Sequence, residues 1–429
     1  MSSEPPSTAT STAPEVMHLS CVLGEEVLGP EGERVGEVAD LVALLQPVGH
    51  PPVSGLVVRT DAGDRFCHIE DVAVMSCDEV RLAGDHTSFG HFERRPGEVL
   101  LSRDLSSRHL IHIGSGKLVR ANEIELARVR GRWEVIGVDS SSRPVWRRIL
   151  PRRMRKGVRA GGVIDWADIQ PFVSHVPSAR LQIPFRRLAR LHPAQLADLV
   201  EAASHEEGEE IIRAVGADRE LEADVFEELE PERQIEFLES RSDEEAARLL
   251  GAMAPDDAVD LLTELTQERR LPILQKMPPS AQRKLRTLLN YHPETAGGLM
   301  NPDFVVVPST ATVAEALSAV RASPAPAEAA GVVYVTDGHE RLSATALVVD
   351  LLRANPNASV GTIAEAGPVA LPPDADIHEV VRKMTDYNLA VAPVVDANGI
   401  MLGQITVDDV LEMLLPSGWR RQYGMSAPE

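Results

Sequence analysis

The stretch Tyr291-His292-Pro293-Glu294-Thr295-Ala296-Gly297-Gly298-Leu299-Met300 separates two regions of different periodicity. Before it, apolar residues recur three and four apart, as in Leu249, Leu250 and Met253 and then Leu261, Leu262 and Leu265, the spacing of one helix face. After it, strand-like and helix-like segments alternate. The decapeptide therefore reads as a junction between an all-helical region and an α/β region.

Three prolines set the period of the helical region. Leu229-Glu230-Pro231-Glu232, Met253-Ala254-Pro255-Asp256 and Met277-Pro278-Pro279-Ser280 recur every 24 residues. Each places proline in a first helical turn, where its missing amide donor costs nothing. Such a repeat predicts short helices paired and stacked as a superhelix.

Beyond Pro302 the order strand, helix, strand, strand, helix is read twice. The first round has segments at 304–307, 313–321, 331–336, 344–348 and 349–353, and the second starts near Val369 and continues at 377–387, 390–395, 401–406 and 407–415. On the N-terminal side, short β-rich runs at 35–45, 53–59 and 65–69 follow the turn Gly29-Pro30-Glu31-Gly32. A second set at 118–129 and 133–138 follows Gly114-Ser115-Gly116-Lys117, so an internal duplication of a small β-barrel is expected.

Length and charge bound the function. A chain of 429 residues exceeds one hydrophobic core, and several domains are expected. The formal charge of -22 opposes casual binding to nucleic acid or anionic lipid and favours cations or basic partners. The acid is concentrated, because residues 201–268 hold 23 acidic side chains against 5 basic ones. One basic run, 143–159 with Arg147, Arg148, Arg152, Arg153, Arg155, Lys156 and Arg159, stands against this trend and reads either as a solvated loop or as a docking point for a phosphate-rich partner or the chain's own acidic domain.

Cys21, Cys67 and Cys77 are odd in number and lack C-x-x-C spacing, so neither a disulfide framework nor a zinc site is expected; buried thiols in a reducing cytoplasm are. The first 15 residues have no apolar run for a signal peptide, and nothing reaches the roughly 18 apolar residues of a spanning helix. The chain is expected not to form a pore itself. His86, His91, His109 and His112 sit in no catalytic spacing, and no nucleophile elbow or phosphate loop accompanies them, so no enzyme is expected.

The two β-rich halves resemble the PRC-barrel, with Val35-Gly36-Glu37-Val38 and residues 118–124 at the matching strand. The 24-residue helical repeat, the Thr295-Ala296-Gly297-Gly298-Leu299-Met300 junction and the doubled strand-helix order, taken together, are similar to the cytosolic region of MgtE magnesium transporters, over roughly 188–415. The fold class this implies is multidomain α+β: two small PRC-like β-barrels, an all-α MgtE N-like superhelix and a tandem CBS (βαββα) pair. The domains are expected as a tail at 1–15, barrels at 16–92 and 93–176, the helical domain at 184–290, CBS units at 291–357 and 358–416, and a tail at 417–429.

The same resemblance implies a magnesium ion between the helical domain and the CBS pair. Pro255-Asp256-Asp257-Ala258-Val259-Asp260 matches the family's acidic helix start, and a helix puts Asp256 and Asp260 one turn apart on one face. Asp256 is also well placed merely to cap its helix; Asp260, a turn further in, is not. On the CBS side Asp337, Asp350, Asp374 and Asp376 fall at or near acidic positions of the family.

CBS units also commonly bind adenine nucleotides, which assigns Thr406 and Asp409 to a ribose, although Thr406 alone is a favoured helix cap. The first unit has Ala344 and Leu347 where the second has Gly403 and Thr406, leaving Asp350 alone of the ribose pair. By family analogy the CBS pair forms a homodimer.

The leading expectation is a cytoplasmic magnesium-responsive regulator acting on a separate membrane magnesium transporter or channel. The alternatives are an RNA- or ribosome-associated adaptor using the barrels and the basic run, and an adenine-nucleotide sensor.

Overall fold

The computed structural model describes residues 16–46, 49–84, 89–141, 162–172, 185–325 and 329–415. The basic run 143–159, His86 and both tails lie outside the described residues. The chain divides into two compact units, residues 1–225 and 226–429.

The first unit opens with strand β1 (Val16–His18) and a helical turn at Leu19–Val22, followed by β2 (Glu26–Leu28), β3 (Arg34–Leu44), β4 (Val53–Thr60), β5 (Gly63–His68), β6 (Val72–Met75) and β7 (Val80–Leu82). A comparable order follows: β8 (Glu98–Leu100), a helical turn at Leu101–Leu105, β9 (His109–His112), β10 (Lys117–Arg120), β11 (Glu123–Val129), β12 (Arg132–Asp139), β13 (Val163–Asp165) and β14 (Ile169–Pro171). The strands assemble as a sheet β5-β4-β3-β2-β7-β6, with β8 also on β3, and as sheets β1-β11-β12-β13 and β10-β9-β14.

This differs from two separate barrels. No closed barrel is present among the described residues, and the two halves exchange their first strands. Thus β1 pairs with β11 (Met17 opposite Leu126), and β8 pairs with β3 (Val99 opposite Ala43). One apolar cluster accordingly runs through both halves, from Met17, Leu41 and Leu56 to Trp133, Val135 and Trp166. Burying one continuous core removes more apolar surface than two small ones.

The exchange is held by reciprocal carboxylates. Asp40 on β3 accepts from the amides of Ser102 (2.8 Å) and Arg103 (3.0 Å), which open the turn after β8. Glu123 on β11 accepts from the amide of Ser20 (3.0 Å) in the turn after β1, and from its hydroxyl. Each buried acid thus satisfies amides that a short helical turn leaves without partners.

The cysteine expectation is corrected here. Cys21 and Cys77 form a disulfide across 56 residues, tying the turn after β1 to the β6–β7 hairpin. Local spacing gave no sign of it because the two thiols are brought together by the fold. Cys67 is the unpaired buried thiol, and burial pushes it up to about 12.

Helices α1 (Pro193–Ala202) and α2 (His205–Val215) follow in this unit, and α3 (Arg219–Glu227) contains the division. Ser204 and Glu207 form a reciprocal capping box at α2, with Glu207 3.8 Å from His109 of β9.

The second unit continues with α4 (Pro231–Glu239), α5 (Asp243–Leu250), α6 (Pro255–Glu264), α7 (Gln267–Lys276) and α8 (Pro279–Leu288). As the 24-residue period requires, Pro231, Pro255 and Pro279 each begin a helix. The buried faces are the apolar stripes of the sequence: Leu249 and Leu250 on α5, Val259, Leu261 and Leu262 on α6, and Leu285 and Leu288 on α8.

The α/β part follows the doubled order. Its first round is β15 (Val305–Pro308), α9 (Val313–Ala322), β16 (Val332–Thr336), β17 (Leu342–Leu347) and α10 (Val348–Arg353), with the short β18 (Glu365–Ala366) on the edge. Its second is α11 (Ile377–Asp386), β19 (Val391–Val395), β20 (Met401–Thr406) and α12 (Val407–Leu414). Near Val369 no strand of comparable length forms; Leu371 makes an isolated parallel bridge to Val394.

Candidate functional site

The junction that opened the sequence reading is a close-packed seam. A Cβ on Gly298 would stand 2.3 Å from the carbonyl oxygen of His292, and one on Gly297 2.5 Å from the Tyr291 ring. Only glycine lets this turn lie against the end of the helical repeat. The amides of Ala296 and Gly297 then donate to the carbonyls of Ala375 and Pro373, each at 2.8 Å, just before α11. Four residues on, Asn301 and Gln404 exchange backbone hydrogen bonds of 2.8 and 2.9 Å, adding the junction to the edge of β20.

This seam brings the start of α6 to the start of α12. Asp256 is half-buried and accepts one side-chain hydrogen bond, from Asn301 Nδ2 at 3.3 Å. Partial burial pushes its carboxyl up to about 7, and the nearby charge of Asp409 adds to the rise, with smaller contributions from Glu227 and Asp260. Asp260 is exposed, yet the protein around its carboxyl displaces enough water to lift it to about 6, with Glu264 adding. Asp409 is likewise raised by desolvation, against the lowering effect of Thr406.

Among the described residues, none of Asp256, Asp260 and Asp409 has an ion-pair partner. Glu227, at the end of α3, accepts from the amide of Ala254 just ahead of α6, which keeps a fourth carboxylate close. Like charges so placed repel unless protons or a cation join them.

The residues foreseen from sequence divide sharply. Asp256 and Asp260 are one turn apart on α6, and Asp409, assigned from sequence to a nucleotide, stands near Asp256. Of the other four, three are engaged locally and one is simply exposed. Asp337 accepts from the amides of His339 (2.7 Å) and Arg341 (3.1 Å) in a turn, which holds its carboxyl below the usual range. Asp350 lies 3.6 Å from Arg353 one turn along α10. Asp376 caps α11 by accepting from Glu379 N at 2.9 Å, and Asp374 is exposed two residues earlier.

Thr406 is the N-cap of α12. Its hydroxyl accepts from Asp409 N (3.3 Å), and Asp409 accepts from Thr406 N (2.7 Å), a reciprocal capping box. The corresponding Leu347 caps nothing with its side chain. A cavity of about 260 Å³ in the α/β part is lined by Phe304, Val306, Thr336 and Ile400, not by Thr406 or Asp409.

Among the described residues no three acidic, histidine or cysteine side chains converge as a ready-made metal cage. The arrangement suits a hard, hydrated cation that takes one or two carboxylates and keeps several waters, since every donor is oxygen and the cluster is open to solvent.

Residues 191–294 match the model of the MgtE intracellular N domain. The helical stretch is an MgtE N domain. It is followed by a CBS domain at 360–416. The region aligns with the magnesium transporter MgtE of Thermus thermophilus, 34% identical over 197 residues, 45% of this chain and 43% of the relative. The Bacillus subtilis magnesium transporter MgtE is 27% identical over 192 residues, with the same coverage. The chain thus spans less than half the length of these curated relatives. A crystal structure of the cytosolic domain of the Mg2+ channel MgtE in complex with ATP superposes with a TM-score of 0.50 at 30% identity, covering 53% of this chain and 93% of that one.

The MgtE-like part therefore carries the acidic seam, and no helix among the described residues is long and apolar enough to cross a membrane. Sequence reasoning missed Asn301, Gln404 and Glu227. Asn301 had one available signal, its place directly after the Gly297-Gly298-Leu299-Met300 seam.

Proposed function

We propose that this chain is a magnesium-responsive regulatory protein, without enzymatic activity, that adjusts magnesium transport by a membrane transporter or channel. The observation that carries this reading is the meeting of Asp256, one turn from Asp260 on α6, with Asp409 at the head of α12, none of the three having an ion-pair partner among the described residues. Repulsion across this seam favours separation of the helical domain from the CBS pair; a hydrated Mg2+ bridging the carboxylates favours their closure. Asp256 and Asp409 would hold the ion, with Asp260 contacting its water shell.

The relatives support the identity of the ion, being named magnesium transporters, and the similar cytosolic-domain structure supports placement in the cytoplasm. Dimerisation through the CBS pair belongs to the same reading. It is supported by the apolar residues left exposed on α10 (Val349, Leu352) and α12 (Val407, Leu411, Leu414). Adenine nucleotide is a second ligand of this reading, since the similar structure was solved with ATP; binding at Thr406 and Asp409 would have to open their capping box.

Titrating the full chain with Mg2+ tests the proposal. Calorimetric heat and protection from protease at millimolar ion are expected, both lost in the Asp256→Ala, Asp260→Ala double variant. A wild-type protein that gives neither response overturns it.

A further inference from the structure

A continuous run of buried polar groups leads away from the acidic seam, and its orientation is fixed by chemistry. Asn301 is 4% exposed, and its side-chain oxygen accepts from the amide of Asp303 at 2.9 Å while its Nδ2 donates to Asp256 Oδ1 at 3.3 Å. Turning the amide over would face NH2 with N–H and oxygen with carboxylate, so only this orientation satisfies both neighbours. Gln404 is fully buried and repeats the pattern: its Oε1 accepts from Tyr334 OH at 2.9 Å, and its Nε2 donates to the Asp303 carbonyl at 2.7 Å. Tyr334, also fully buried, belongs to β16 of the first CBS-like round, whereas Gln404 belongs to β20 of the second.

The two amides are locked to each other. Their backbones exchange both hydrogen bonds, and a Cβ on the adjacent Gly403 would lie 2.8 Å from Met300 and 2.9 Å from the Asn301 carbonyl oxygen. The seam and β20 therefore move together.

We propose that Asn301 is the positioning residue of the acidic site, and that Gln404 relays its placement to Tyr334 in the core of the first CBS-like round. This rests on the magnesium reading above. The contrast with Asp303 shows what an amide achieves. Asp303 is neutralised by Lys284 Nζ, at 2.5 and 2.7 Å from its two oxygens, and has no charge left for a ligand. Asn301 instead holds one oxygen of Asp256 without cancelling its charge, leaving the second oxygen for a cation.

The experiment is a Mg2+ titration of the full chain, wild type against Asn301→Ala, Tyr334→Phe and the double variant. Protease protection and the side-chain amide NMR signals of Asn301 and Gln404 are followed. In the wild type, Mg2+ shifts both amide signals. Asn301→Ala raises the Mg2+ midpoint about tenfold and abolishes the Gln404 shift. Tyr334→Phe, which does not touch Asp256, raises the midpoint about twofold, and the double variant falls short of the product of the two effects. A wild type that responds to Mg2+ while Asn301→Ala keeps its midpoint overturns the positioning role and leaves the magnesium reading intact. Independent effects of the two substitutions overturn the relay, and an unresponsive wild type overturns the magnesium reading together with this one.

Discussion

Both units place carboxylates at the starts of helical turns, but they treat them in opposite ways. In the first, Asp40 and Glu123 are buried and surrounded by donors: Asp40 takes the amides of Leu41, Ser102 and Arg103, and Glu123 takes the amide and hydroxyl of Ser20. In the second, Asp256 is half-buried with one amide donor, and Asp260 is exposed with no ion pair among the described residues. A buried acid saturated by backbone amides is part of the fold, because nothing else can reach it. A solvent-reachable acid crowded by other acids is available to a ligand.

The sharpest way to break this contrast is to loosen the first unit and ask whether the second notices. Reducing the Cys21–Cys77 disulfide, or Cys21→Ser, frees a loop whose ends lie 56 residues apart. It should cost the first unit up to about 4 kcal/mol, measured by denaturant unfolding, with the Mg2+ midpoint of the full chain unchanged. Asp40→Ala strips acceptors from the amides of Ser102 and Arg103 and should cost about 2–3 kcal/mol. A loss below ~0.5 kcal/mol would show that water replaces the carboxylate.

Burial raises the carboxyls of both Asp40 and Asp256, but without a set of amide donors to lose, Asp256 should respond to substitution with the opposite sign. Its carboxyl is raised to about 7, so the folded state holds that proton more tightly than the unfolded chain. The stabilisation is complete below about pH 4 and is lost as pH climbs through 7. In chelator at pH 8, Asp256→Asn should therefore stabilise the second unit by roughly 1–2 kcal/mol and flatten its pH dependence between 4 and 7. Protons and Mg2+ compete for the same oxygens, so the wild-type Mg2+ midpoint should fall as pH rises. A destabilised Asp256→Asn would place this acid with Asp40 as a structural group. The smallest effect belongs to Asp337→Ala. It loses a turn that holds its acid below the usual range, should barely move the unfolding midpoint, and should leave the Mg2+ midpoint where it was.

Much of the second unit was legible because its signals are local. Proline at Pro231, Pro255 and Pro279 starts helices for reasons contained in one residue's geometry, and the doubled strand-helix order follows from apolar periodicity. The pairing of Asp256 with Asp260 needed only helical spacing. Asp337 and Asp376 were foreseen at an ion, but a turn and a cap each use the acid within four residues of its partners.

The remainder depends on separations that the chain order hides. Asp409 lies 153 positions from Asp256 yet acts on its charge, and Asn301 reaches Asp256 from 45 positions away. The exchange of β1 and β8, and the Cys21–Cys77 bond, are equally non-local. Sequence by itself determined the helical repeat, the CBS-like order and the glycine seam at Gly297-Gly298, because propensity, periodicity and the lack of a Cβ act over a few residues. Tertiary structure alone decided which acids are left without saturating donors, because that depends on solvent, donors and like charges contributed by distant segments.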